Sequence, residues 1–72
     1  MKFKLTVIIP FFNAKKYLLQ NYKSCLELVN KFNIQIIYID NNSNDGSFDT
    51  LKKITTSKNF FFLKTKKNLK GP

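Results

Sequence analysis

Three short apolar runs alternate with two longer segments of helical period, and this alternation constrains the fold more than any other feature. The runs are Lys4 to Ile9 (KLTVII), Ile34 to Ile39 (IQIIYI) and Asn59 to Leu63 (NFFFL). Each is too short for a stable helix and carries the β-branched and aromatic residues that strands favour. In the second run apolar residues dominate both pleat faces, Gln35 excepted, which suits an interior parallel strand. The first and third read as buried strands too. Pro10 follows the first run and is expected to end it, because proline has no ladder donor.

Between the first two runs, Leu18, Tyr22, Cys25, Val29 and Phe32 recur at steps of four, three, four and three. Tyr17 and Leu26 widen that stripe, and lysines lie mostly opposite it. The spacing predicts an amphipathic helix from Ala14 to about Lys31. Asn13 stands where an N-cap belongs. A second helix is expected from Ser47 to about Thr56, capped by Asp45 or Ser47, with Phe48, Leu51 and Ile54 on its inner edge. Thr55 and Thr56 weaken its end. Strands separated by helices pair in parallel through right-handed crossovers. The expected class is therefore α/β: a three-layer, Rossmann-like βαβαβ unit. Three strands with two helices leave one sheet face poorly covered, and Pro72 is of a type that opens a helix. Both features point to residues 1–72 as the first part of a larger α/β domain.

Composition narrows the function classes. The chain has 72 residues, enough for one domain at most, and its 43% hydrophobic content with eight phenylalanines rules out a disordered polar tail. Thirteen lysines oppose four acids, with no arginine and no histidine, giving a net charge of +9. Such a charge attracts phosphates, nucleic acid or an anionic membrane face. A base-reading surface draws on arginine for bidentate contacts, so nucleic acid is not the expected partner. Lysine together with abundant Asn, Ile and Phe also follows from AT-rich coding. Cys25 alone permits no internal disulfide and fits a reducing, cytoplasmic compartment. The opening MKFKLTVIIPFF is a poor signal peptide, since Pro10 breaks its short apolar run. No run approaches the roughly 20 apolar residues of a spanning helix.

All three aspartates fall between Asp40 and Asp49. The loop YIDNNSNDGS leaves the carboxyl end of the second strand, as PFFNAKK leaves that of the first. Ligands of open parallel sheets bind beyond such ends. The first loop lacks the glycines of a dinucleotide fingerprint, and no phosphate-binding Gly-x-x-x-x-Gly-Lys occurs. Asn41, Ser43, Asp45 and Gly46 mimic the start of a calcium loop, but its twelfth position is Lys52 instead of glutamate. What remains is a nucleotide cradle without glycines. Asp40 can accept from a ribose hydroxyl or a base N–H. Asn41 offers both a donor and an acceptor to a pyrimidine edge. Phe12 offers a face for base stacking. The helix start near Asn13 to Lys15 favours a diphosphate. A second account stays open: Asp40 and Asp45 form Asx turns and caps, Phe12 packs in the core, and Lys15 and Lys16 are solvated. Cys25 lies on the apolar stripe with no histidine to activate it, so it reads as packing.

Val7-Ile-Ile-Pro-Phe-Phe-Asn13, a helix, and then Asp40-Asn-Asn-Ser-Asn-Asp-Gly-Ser47 together resemble the start of glycosyltransferase family 2, whose members have the GT-A fold. The likeness covers nearly the whole chain, and Asn68 to Pro72 resembles the basic, glycine-containing segment before the family's next helix. The resemblance implies a nucleotide-diphosphate sugar as partner, UDP-linked in most members, and transfer of its sugar to a polysaccharide or glycolipid acceptor. It implies that Pro10, Phe12 and Asn13 line the nucleotide pocket, that Asp40 and Asn41 hold uracil or ribose, and that Ser43 and Asp45 shape the loop. Asn41 stands where many relatives carry aspartate. The family's divalent cation, Mg or Mn, is held by an Asp-x-Asp motif further along. No Asp-x-Asp occurs in these residues, so neither a metal ligand set nor a catalytic base is expected among them. Residues 1–72 are then a partial nucleotide-binding domain, itself inactive. Peripheral association of the full-length enzyme with the inner face of the cell membrane remains open. The competing class is a small, non-catalytic basic α/β module that binds nucleotides or nucleic acid.

Overall fold

The computed structural model describes residues 3–65. Its elements are β1 (Leu5–Phe11), α1 (Lys15–Lys31), β2 (Ile34–Asp40), α2 (Ser47–Ile54) and β3 (Phe60–Lys64). All three strands are parallel and stand in the order β1-β2-β3, with Leu5 opposite Ile34 and Ile36 opposite Phe60. The alternating pattern of the sequence thus yields the expected Rossmann-like β-α-β-α-β unit.

Strand order decides where the helices lie. Both crossovers step the same way across the sheet, so right-handed connections place both helices on one face. The ring of Tyr22 on α1 lies 5.1 Å from Phe60, and that of Phe48 on α2 lies 6.3 Å from Phe62. Phe60 and Phe62 are two apart on β3 and so share a face. The described residues therefore supply two of the three expected layers. On the other face lie Ile8, Ile37, Ile39, Phe61 and Leu63, with Ile8 59% and Leu63 57% exposed. The outer strands β1 and β3 are accordingly buried on one face only, not throughout as their apolar runs suggest.

Tyr38 and Ile36, at the middle of the central strand, are fully buried, and Leu51 of α2 is nearly so. Each such side chain contributes about 1.5–3 kcal/mol on burial. Tyr38 stacks between Phe60 and Phe62 and meets Phe11 edge-on. These are neighbours across one pleated face, where aromatic pairs add to simple burial. The Tyr38 hydroxyl donates to Asn21 Oδ1 at 2.7 Å. Burial pushes this phenol far above its ordinary pKa, so it remains a donor wherever the fold persists.

Four local expectations are corrected. Pro10 does not end β1, which runs on through it to Phe11. The Asn41 amide donates to Phe11 O, so Phe11 faces β2. By alternation, the Pro10 nitrogen faces away from β2, on the side of β1 where no strand pairs with it among the described residues and no donor is needed. Asn13 is not the N-cap of α1; Ala14 is, and it makes no side-chain cap bond. Tyr17 and Phe32 lie outside the buried stripe, Tyr17 being 71% exposed, while Leu18, Tyr22 and Cys25 form its core. The helix is buried along one narrow seam, because only one side of it meets the sheet. The second helix ends at Ile54, two residues early, and the Thr55 hydroxyl closes it by donating to Leu51 O. The resemblance at Asn68 to Pro72 lies outside the described residues.

Candidate functional site at the strand ends

β1 and β2 are neighbours, and Phe11 and Asp40 are paired at their carboxyl ends. The loops that follow therefore start side by side. Asn13 N donates to Ser43 Oγ at 2.8 Å, and Asn44 N donates to Asn13 Oδ1 at 2.9 Å. Lys15 N donates to Asp45 Oδ2 at 3.2 Å. These three bonds join loops about thirty positions apart in the chain. Of the six expected site residues they join Asn13 and Ser43 directly; Asp40 is bonded to Ser43 and Asn41 to Phe11 O, while Phe12 and Pro10 stand beside this frame in sequence.

Asp40 lies beneath this frame and is 0% exposed. Its Oδ1 accepts the Ser43 amide three residues on at 2.8 Å, whereas the two-residue span of an Asx turn is found at Asp45, which accepts from Ser47 N. Asp40 Oδ2 has no hydrogen-bond partner within the described residues; the Lys64 ammonium stands 3.9 Å away. The strand-end carboxylate thus shapes the loop from within. Ser43 is buried, and it passes this support to Asn13 through its hydroxyl. Asn41 is half-buried beside Asp40, and the Thr65 hydroxyl donates to its Oδ1 at 3.2 Å. Thr65 N also donates to Asp40 O, which ties the end of β3 to the same rim. Sequence reasoning missed Lys64 and Thr65. Their only signal was position at the end of a third strand, which becomes meaningful once β3 is known to flank β2.

Phe12 and Pro10 are exposed at the rim. Phe11 turns inward onto Tyr38 while Phe12 turns out, 46% exposed, so the core account of Phe12 fails. The helix start is also different from expectation. The anion at the first amide of α1 is the carboxylate of Asp45, which bridges to Ser47 N as well. Contact with the Ser47 side chain, aided by amide donors, holds the Asp45 carboxyl below its usual range. A diphosphate at that amide would have to displace Asp45.

Electrostatically the rim is mixed: Lys64 and the α1 amide offset Asp40 and Asp45. Among the described residues no three His, Cys, Asp or Glu side chains converge on a metal position. The one buried carboxylate is committed to Ser43 and Lys64, so this donor set does not fit the cation expected for the family. No enclosed cavity forms among the described residues, and the rim is an open shelf. No helix among them is long and apolar enough to cross a membrane.

Residues 6–72 match the family model described as glycosyl transferase family 2. No curated protein and no solved structure matches the chain. The matched span contains both motif loops and every strand-end residue of the shelf. The chain belongs to glycosyltransferase family 2.

Proposed function

We propose that the shelf holds the nucleoside of a nucleotide-diphosphate sugar, UDP-linked, and forms the donor-binding part of a sugar transferase acting in polysaccharide or glycolipid assembly. Family membership supports the reaction class. The observation that carries the reading is the cross-bonded pair of motif loops with Phe12 left exposed beside them. Phe12 would stack on the base, an interaction worth about 1–3 kcal/mol. Asn41 would bond the base edge. Asp40 would act from below, by fixing Ser43, instead of by direct contact. Pro10 would border the base on the side of β1 away from β2. The sequence contains no Asp-x-Asp and the described residues hold no fitting ligand set, so on this reading the isolated chain binds donor and transfers no sugar.

The test is titration of the 15N-labelled 72-mer with UDP, followed by amide shifts. Saturable shifts at residues 11–13 and 40–43, weakened by Phe12→Ala, support the reading. A competing basic-module reading predicts binding to any polyanion, a steep loss with salt, and indifference to Phe12. That outcome, or metal-dependent sugar transfer by the 72-mer alone, would refute what is proposed.

A further inference from the structure

We propose that Asn13 is a positioning residue, one that presents Phe12 to the base and does not itself bind the ligand; this rests on the nucleotide reading above. The chain must leave β1 at Phe11 and enter α1 at Lys15, with little length in which to turn. It does so through Asn13, whose φ is +47°. That left-handed region is strained for most L residues and best tolerated by Gly, Asn and Asp. The Asn13 backbone amide is given to Ser43 Oγ and its Oδ1 accepts from Asn44 N, so its backbone donor and its side-chain carbonyl are both engaged inside the protein. Ser43 is itself held by Asp40.

Phe12 therefore sits between two anchors. On one side Phe11 is buried against Tyr38. On the other Asn13 is tied twice to the second loop. A half-exposed phenylalanine has a free choice of rotamers and of backbone tilt unless its neighbours fix it. Two fixed neighbours reduce that freedom before a base arrives, and preorganisation of this kind raises affinity without new contacts. The same bonds also allow a plainer duty, in which Asn13 merely closes the loops. The two duties differ in whether Asn13 matters once Phe12 is gone.

A double-mutant cycle decides between them, with UDP as probe and amide shifts or calorimetry as readout. The proteins are wild type, Phe12→Ala, Asn13→Gly and the double variant. Glycine keeps the positive φ and deletes the side chain, and with it the tie to Asn44. Asn13→Gly should weaken UDP about three- to tenfold, a part of the stacking loss. In the Phe12→Ala background it should weaken UDP no further. Asn13→Asp, which retains an acceptor for Asn44 N and tolerates the same φ, should bind uridine, which has no phosphate for the new charge to repel, as wild type does. An equal loss from Asn13→Gly with and without Phe12 overturns the proposal while leaving the nucleotide reading intact. So does loss of uridine affinity in Asn13→Asp equal to that in Asn13→Gly. Absence of saturable UDP binding by the wild type overturns both, and failure of Phe12→Ala to weaken it removes the base platform on which the proposal stands.

Discussion

Replacing Asp40 with alanine should destabilise the protein by about 2 kcal/mol, and the figure can be assembled from its contacts. The carboxylate accepts the Ser43 amide at 2.8 Å inside the protein. A hydrogen bond to a charged group contributes about 1.5–3 kcal/mol, and its loss strands a buried N–H. The Lys64 contact is long, 3.9 Å, and Lys64 is 43% exposed. Solvent screening holds that pair to about 1 kcal/mol or less. Against both stands the cost of keeping a carboxylate out of water, which alanine relieves in part. Asp40→Asn offers the separating control, since it keeps an acceptor for Ser43 and removes only the charge. It should cost about 1 kcal/mol less than alanine. Urea unfolding followed by circular dichroism measures both. With a slope of about 1 kcal/mol per molar for so small a domain, alanine should lower the midpoint by about 2 M and asparagine by about half that. A midpoint for Asp40→Ala within experimental error of wild type would refute the accounting, as water would then be serving Ser43. Equal losses for the two variants would show that the charge, and not the Ser43 bond, carries the stability.

Gly46 precedes α2 with φ of +81°, and a Cβ there would meet only Lys15 Nζ at 3.7 Å, ordinary contact. Gly46→Ala should therefore cost about 1–2 kcal/mol from backbone strain alone, read as a lower urea midpoint with an unchanged slope. Asp45 has its pKa lowered by Ser47 and by the Lys15 amide. Its bonds add stability in full above the ordinary aspartate value of about 4, and that stability is lost as pH falls through the depressed value. Asp45→Asn should thus melt below wild type near neutral pH, with the gap narrowing as pH falls below the ordinary aspartate value; a gap that does not narrow would show that charge on Asp45 is irrelevant to the two-loop frame.

Much of this architecture was legible because local rules agreed with one another. The helical steps at Leu18, Tyr22 and Cys25 and the β-branched runs named the elements, and the alternation named the parallel sheet. What failed were positions whose state depends on a neighbour distant in sequence. Pro10 looks like a terminator until β1 is seen to be an edge strand among the described residues, where its nitrogen faces away from β2. Asn13 looks like an N-cap because the helix signal begins just after it. Its partners Ser43 and Asn44 lie in another loop, and no local pattern announces them. The same holds for Asp45, which caps α1 across the rim instead of serving α2 alone. The candidate residues were picked out as types, since turn formers cluster after β2. Their division into exposed Phe12 and Pro10 and buried Asp40 and Ser43 needed the pairing of Phe11 with Asp40.

That pairing also links the shelf to the open sheet face. Each crossover steps one strand in the same direction, so both helices share a face and both βα loops leave the same end. Residues facing the helices at that end are Phe11 and Asp40. They become the floor of the shelf, under Ser43 and beside Tyr38. Residues of opposite parity, Pro10 and Ile39, belong to the face without helices. Phe12 comes next after a floor residue and so must point away from the floor, which is why it is exposed instead of buried. A one-residue slip of β1 against β2 would exchange the parities of β1 alone, turning Phe12 inward and Phe11 outward while Asp40 stayed beneath the shelf. The register is fixed by Ile36 and Tyr38 in the core, so the packing at the centre of the sheet sets which aromatic ring stands at its rim.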